Sequence, residues 1–310
     1  MRKDIPGFTA TYATLNGIDI GFEVGGAGPP VLLLHGFPQT HAMWAEVAPI
    51  LAQEFTVVCP DLRGYGESGK PSGVARYSFR EMARDQVFLM RRLRFDSFHL
   101  AGHNRGARTA HRLTLDTPQA VRSLTVMDII PIHRLLNDLT HKVAKAYYHW
   151  FFLAQPRPFL ETLITADPEA YYKRCLLAFG KATLVDFKPT QLAAYRSAWA
   201  DPDCRRAVCD DCRAAIEVDF DLDRGRSWPL RPLLGAGPVW GRWCHGAGLR
   251  RPRHMGGPDI RHDRPGHPRQ ALLCRTVAAR HRRRPVRLPV RVTSGRLPCP
   301  LLRCGSCWPI

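Results

Sequence analysis

The chain has 310 residues, 45% of them hydrophobic, which is enough to bury the core of one large α/β domain and too apolar for a wholly disordered protein. Its formal net charge of +18 invites a nucleic-acid reading, but that charge is not spread over the chain. Residues 231–310 hold 17 Arg, no Lys and 2 acids (Asp259, Asp263), while residues 1–230 hold 28 basic and 25 acidic residues, so no nucleic-acid partner is expected for the larger part.

FTATYATL, then Asn16-Gly17, then IDIGFEV predicts a β-hairpin closed by a two-residue turn. VLLLH (31–35) is short and wholly apolar, as a strand buried on both faces requires. FTVVC (55–59), SFHLAG (97–102) and SLTVMD (123–128) read the same way. Ahead of the third of these four runs, Ser78 and Glu81 predict a capping box, and Phe79, Met82, Ala83, Val87, Met90 and Leu93 give one apolar helical face. Strands alternating with helices imply an α/β fold with a mainly parallel sheet and right-handed crossovers. Ligands of such sheets sit beyond the carboxyl ends of the strands. Those ends carry Gly36-Phe37-Pro38, Asp61, His103-Asn104-Arg105-Gly106 and Asp128, and the four are expected to converge.

Gly102-His103-Asn104-Arg105-Gly106 has the spacing of a nucleophile elbow, where glycines let a strand turn abruptly into a helix and the central side chain is left exposed. The helical run RGARTAHRLTL follows directly. Backbone N–H groups at such a helix start favour an anion. Arg105 and Arg108 lie three apart and share one helix face. Two guanidinium forks suit a small carboxylate better than two lysines would.

Taken together, LLLHGFPQTHAMW, VVCPDLRGYGESGKP, YSFREMARDQ, LAGHNRGARTAHRL, SLTVMDIIP and YYHWFFLAQP resemble the haloacetate (fluoroacetate) dehalogenases of the α/β-hydrolase fold, from about residue 6 to about residue 225. The resemblance implies a first core part at 1–130, a helical lid at 131–215 and a return to the core at 216–226. It implies hydrolytic cleavage of a carbon–halogen bond in a small haloacid, with no metal or organic cofactor. An elbow carboxylate forms an ester, which a His-activated water hydrolyses. On this sequence the elbow position is Asn104, Asp128 is the acid that orients the base, and Arg105 and Arg108 hold the substrate carboxylate. His149, Trp150 and Cys212 line the halide pocket, and the backbone N–H groups of Phe37 and Arg105 form the oxyanion hole. A homodimer is left open.

Three departures from the family pattern stand out. Asn104 replaces the nucleophilic Asp with a far weaker amide. Cys212 stands where the family has a halide-pocket Tyr, and a thiol is a poor donor beside a phenol. No strand end bearing the base His is legible, and His267 in PGHP is a weak candidate without strand context. Slow deamidation of Asn104 would regenerate the carboxylate, but Arg and not Gly follows it. The nearest rival is an epoxide hydrolase using Tyr147 or Tyr148 as the acid. A catalytically dead homologue that binds a small carboxylate is the other.

Beyond residue 226 the composition breaks: residues 231–310 lack Glu, Phe and Tyr and are crowded with Pro, Gly and Arg. A disordered basic tail, a metal-binding tail using Cys304 and Cys307, and translation out of frame all compete. Composition favours the last. One permitted codon choice for residues 270–283, read one base over, encodes RHFFVERLPRDTA, which resembles the family's missing segment with its base His. No apolar run reaches the roughly 18–20 residues that span a bilayer, and MRKDIPGFTATYATL lacks the apolar stretch of a leader. A cytoplasmic protein without membrane partners is therefore expected, its ten cysteines free.

Overall fold

Asn16 and Gly17 take φ of 49° and 74°, the two left-handed positions that a tight hairpin turn demands. They join β1 (Thr9–Leu15) to β2 (Ile18–Gly25), which pair antiparallel with Leu15 opposite Ile18. The computed structural model describes residues 1–177 and 182–224, and six strands among them form one sheet in the order β1-β2-β4-β3-β5-β6. β3 (Pro30–Leu34) lies near its centre with all five residues buried, between β4 (Thr56–Pro60) and β5 (Phe98–His103). β6 (Val121–Met127) follows β5 at the edge of the described sheet. The pairings β3–β4, β3–β5 and β5–β6 are parallel, and β2–β4 is antiparallel. The apolar runs therefore mark buried strands, and their carboxyl ends lie along one edge.

After the single turn of α1 (Ala48–Leu51), α2 (Phe79–Arg92) buries Phe79, Met82, Ala83, Val87, Leu89 and Met90. Its amino terminus departs from the expected box. Ser78 Oγ accepts from Glu81 N at 3.3 Å, but the Glu81 carboxylate turns away to Arg84 Nη1 (2.8 Å) and Asn16 Nδ2 (3.1 Å). The hairpin turn packs on this end of the helix and supplies a better partner than the cap backbone. Phe79 N instead donates to both oxygens of Asp219, each at 3.0 Å.

α3 (Arg105–Asp116) runs back from β5 and packs on α2 and the sheet. From Ile132 to Ala214 the described chain is helical: α4 (Ile132–Asn137), α5 (His141–Ala146), α6 (Tyr148–Leu153), α7 (Phe159–Ala166), α8 (Pro168–Leu177), α9 (Pro189–Ala200) and α10 (Pro202–Ala214). Trp150, Leu160, Tyr172, Tyr195 and Trp199 join these helices to the core. The π-helical turn Ala215–Asp219 and the short α11 (Phe220–Leu222) bring the chain back to α2 and α4. Among the described residues no helix is long and apolar enough to cross a membrane. His267, Cys304, Cys307 and the anomalous stretch 227–310 lie outside the described residues.

Asp219 is nearly inaccessible. Burial raises its carboxyl to about 8, opposed by the Phe79 N–H and reinforced by Asp223 and Asp211. A carboxyl whose folded pKa is raised binds more protons folded than unfolded, so its contribution to stability is present below about 4 and is lost as pH rises through about 8. Asp219→Asn keeps an oxygen acceptor for Phe79 N without the charge. Urea titrations of both proteins at pH 6 and pH 8.5 are expected to show the variant losing less stability over that interval. Equal losses would contradict this account of Asp219.

Candidate active site

The elbow is made by close backbone passage. A Cβ on Gly106 would stand 2.4 Å from Leu34 O and 2.5 Å from His35 O, and one on Gly102 would stand 2.5 Å from Gly106 C. Only glycine lets α3 start this tightly against β3 and β5. Gly106 N donates to His35 O (2.9 Å) and Asn104 N to Met127 O (3.0 Å), which ties the turn to both neighbouring strand ends. Asn104 is held at φ 49°, ψ −111°, a strained conformation for a non-glycine residue.

The Asn104 carboxamide joins several of the expected groups. Its Oδ1 accepts from Arg105 N at 2.8 Å and lies 3.4 Å from Phe37 N, so both expected oxyanion-hole donors converge on the elbow side chain. The carboxamide also hydrogen-bonds Asp128. Asp128 sits just beyond β6 with φ 56°. Burial raises its carboxyl to about 7, against the lowering effects of Arg108 and of the Asn104 hydrogen bond. His103 Nε2 lies 4.0 Å from Asp128 Oδ2, and burial holds that imidazole neutral, down to about 4.

Both expected arginines are buried, Arg105 at 1% and Arg108 at 3% exposure, so neither belongs to a solvated helix edge. Arg105 Nε pairs with Asp211 Oδ2 at 3.1 Å, and its Nη2 donates to Cys212 Sγ at 2.7 Å. Arg108 Nη1 donates to Ile130 O at 2.6 Å. Arg105 Nη1, Arg108 Nε and Arg108 Nη2 are buried with no partner among the described residues. Both guanidinium groups lie over the Trp150 ring, with Cζ at 4.9 Å from its centroid for Arg105 and 4.2 Å for Arg108. Such stacking orients a cation while leaving its edge donors free. Burial pushes the Arg108 guanidinium down to about 10, which still leaves it charged at neutral pH.

His149 stacks on Phe37, centroids 5.8 Å apart and planes within 10°. Burial, with Arg105 and Arg108 adding to it, lowers its imidazole to about 4, so it is neutral. Burial raises the Cys212 thiol to about 12 despite Arg105, and it serves as a neutral acceptor for that guanidinium. The expected residues Phe37, Asn104, Arg105, Arg108, Asp128, His149, Trp150 and Cys212 are thus linked in one chain of contacts.

Two expectations are corrected. Asp61 lies 3.8 Å from His35 Nε2 at the end of β3 but is turned from the elbow: its Oδ1 accepts from His41 N (2.8 Å) and its Oδ2 from Glu67 N (2.8 Å), because the loop after β4 folds back over it. Burial would raise that carboxyl, but His41 outweighs it and holds it at about 2. Tyr148, offered as an acid for epoxide opening, is 42% exposed on the outer side of α6. Its neighbour Tyr147 is the one that feels Arg108 and Asp128. Asp211 was missed: it accepts from Tyr65 Oη (2.6 Å) and pairs with Arg105. Its place in CDDCRAA beside Cys212 was a signal it shared with Asp210.

Comparisons with known proteins place this geometry in context. Residues 29–203 match the alpha/beta hydrolase fold family. A fluoroacetate dehalogenase from a Burkholderia species is 51% identical over 222 residues, covering 71% of this chain and 73% of that one. A soluble epoxide hydrolase from Corynebacterium sp. (strain C12) is 34% identical over 169 residues, covering 54% of this chain and 58% of that one. A crystal structure of a putative alpha/beta hydrolase from Nostoc sp PCC 7120 aligns with a TM-score of 0.68 at 46% identity, over 70% of this chain and 75% of that chain.

The elbow's dependence on glycine is measurable. Gly106→Ala is expected to destabilise the fold by about 1–3 kcal/mol, since backbone carbonyls and no flexible side chain block the new Cβ. Thermal unfolding reads it, and an unchanged melting temperature would refute the close-passage account.

Proposed function

The chain belongs to the haloacetate dehalogenase family of the α/β-hydrolase fold, a family of hydrolases acting on carbon–halide bonds, and from that premise we propose that its site binds a small α-haloacid by the carboxylate and presents the halogen-bearing carbon to residue 104. The observation that carries this reading is the set of three buried, unpartnered guanidinium donors on Arg105 and Arg108. A buried cation without hydrogen-bond partners is costly, and a small carboxylate would supply the missing acceptors. Asp211 neutralises Arg105 and fixes its plane; Arg108 has only a carbonyl, so it supplies the net attraction. Neutral His149 and the Trp150 edge flank the site, where a leaving halide needs donors and not competing anions.

In the family's chemistry a carboxylate at the elbow attacks carbon, halide leaves with the bonding electrons, and the resulting ester carbonyl is hydrolysed through the oxyanion hole. Here the elbow carries a neutral amide whose oxygen already lies against the Arg105 and Phe37 N–H groups. Loss of a covalent nucleophile lowers the rate by at least about 10³-fold. The chain as it stands is therefore a binder of haloacids with impaired turnover. Asn104→Asp is expected to release halide from bromoacetate in a burst of a single halide per chain. It then stalls with a covalent ester visible by mass, because no base His is legible in the sequence. Steady turnover would show that a base is supplied, and absence of any burst would sink the assignment of residue 104.

The carboxylate site has its own test. Arg108→Lys is expected to weaken fluoroacetate binding to the unsubstituted elbow by about tenfold or more, since a lysine cannot present Nε and Nη2 together. Calorimetric titration measures it, and equal affinity would remove Arg108 from the site. An epoxide hydrolase is the second reading, favoured by the half-buried Tyr147 beside Arg108 and Asp128, where loss of solvent keeps its phenol protonated. Turnover of styrene oxide but not haloacetate by Asn104→Asp would select it.

A further inference from the structure

A second cluster of reactive side chains lies away from the elbow, in the turn after β3. His41 Nε2 stands 3.1 Å from Glu23 Oε1 and 3.5 Å from Asp4 Oδ2. The three atoms lie within 4.8 Å of one another. The 3.1 Å contact is a hydrogen bond from the imidazole, and a cation displacing its proton would find donor atoms at about the 3.0–3.6 Å separation of ligands that share an ion at about 2.0–2.2 Å.

The surroundings complete the pattern. His41 Nδ1 faces Asp61 Oδ1 at 2.9 Å, the carboxylate contact that orients a metal-binding imidazole through its other nitrogen. Glu23 is fixed by Asp4 N (2.5 Å) and Ile5 N (3.0 Å). The side chains of Glu23, His41 and Asp4 are 0%, 1% and 5% exposed. Asp4 and His41 nevertheless open onto a polar cavity of about 220 Å³, also lined by Arg2, Asp61, Glu67, Lys70 and Asp201, with room for water ligands. Lys70 is turned to Gly66 O, Ser68 O and Asp201, and Arg2 to Asp4 and Ala193 O. Around His41 the carboxylates of Asp4, Glu23 and Asp61 exceed the cations Arg2 and His41 by one formal charge. A divalent ion on a neutral imidazole would remove that excess.

We propose that Asp4, Glu23 and His41 bind a divalent cation of the Mn²⁺ class at the floor of this cavity, joining the N-terminal segment to β2 and the turn after β3. Two carboxylates and one imidazole suit Mn²⁺ or Fe²⁺, and no thiol is present to select a softer ion. None of these side chains touches Asn104, Arg105 or Arg108, so the cation has no part in carbon–halide chemistry.

The test uses the full chain after treatment with a chelator. Mn²⁺ is titrated while its free electron-spin-resonance signal is followed, because the ten cysteines would compete for zinc. One Mn²⁺ bound per chain, with a melting temperature that rises with Mn²⁺, is the expected result. Asp4→Asn and Glu23→Gln should each weaken binding by about tenfold or more, with unchanged far-ultraviolet circular dichroism. If Glu23→Gln fails to fold, Asp4→Asn, close to the chain's start, decides alone. No Mn²⁺ bound by the parent protein at millimolar concentration overturns the proposal, as does binding undiminished in Asp4→Asn.

Discussion

The carboxamide of Asn104 is the joint on which the candidate site hangs. One atom, Oδ1, meets the first N–H of α3 and approaches that of Phe37, while the same side chain bonds Asp128 beyond β6. Three strand ends are thereby tied by one side chain in a strained backbone conformation. The strain is held by contacts that glycine alone permits, since Gly102 and Gly106 let the first turn of α3 sit directly against β3 and β5. Strained residues persist when their surroundings over-determine them, and here strands and helix do so from both sides.

From that joint the helix carries two arginines into an apolar interior, and the two are treated differently. Arg105 receives the buried Asp211 carboxyl at 3.1 Å, an acceptor sulfur from Cys212 and a ring face from Trp150. Arg108 receives the same ring and one carbonyl. A buried ion pair roughly balances desolvation against attraction, while a buried charge without a partner does not. The imbalance at Arg108 makes the site electrostatically incomplete in the way an anion would complete. Asp128 cancels it only in part, because burial raises that carboxyl to about 7 and leaves it about half ionised near neutral pH.

Local chemistry was legible in the sequence wherever it was set by neighbours along the chain. The Asn16-Gly17 turn, the four apolar strands, the elbow spacing and the Arg105–Arg108 face all follow from short-range rules. What escaped depends on distant partners. Asp211 meets Arg105 from more than a hundred positions away, and nothing in CDDCRAA ranks it above Asp210. Asp219 caps α2 from across the fold through Phe79 N, while Arg84 and Asn16 draw Glu81 away from the cap. Asp61 reads as a strand-end acid like Asp128, yet the glycine-bearing loop behind it folds over its carboxylate and supplies Glu67 N. Its Gly66 has φ 46° and leaves no room for a Cβ, which would lie 2.1 Å from Asp61 Oδ2. A pattern of residue types marks where polar groups leave a sheet but not which way they turn.

The same charge accounting gives a physical meaning to an amide at the elbow. A carboxylate at position 104 would stand beside Asp128 and raise the negative charge that an incoming haloacid must approach. Arg108 would then be shared between the elbow and the substrate. With Asn104 the elbow is neutral, and the unpartnered donors of Arg108 would be left to a ligand alone. On the proposed function, an amide in the nucleophile's place also removes a repulsion, so ground-state binding and turnover would move in opposite directions. On the proposed function, attraction for the substrate carboxylate falls to the arginines and attack on carbon to the elbow, and only the first of those two functions would keep its full set of groups in this chain.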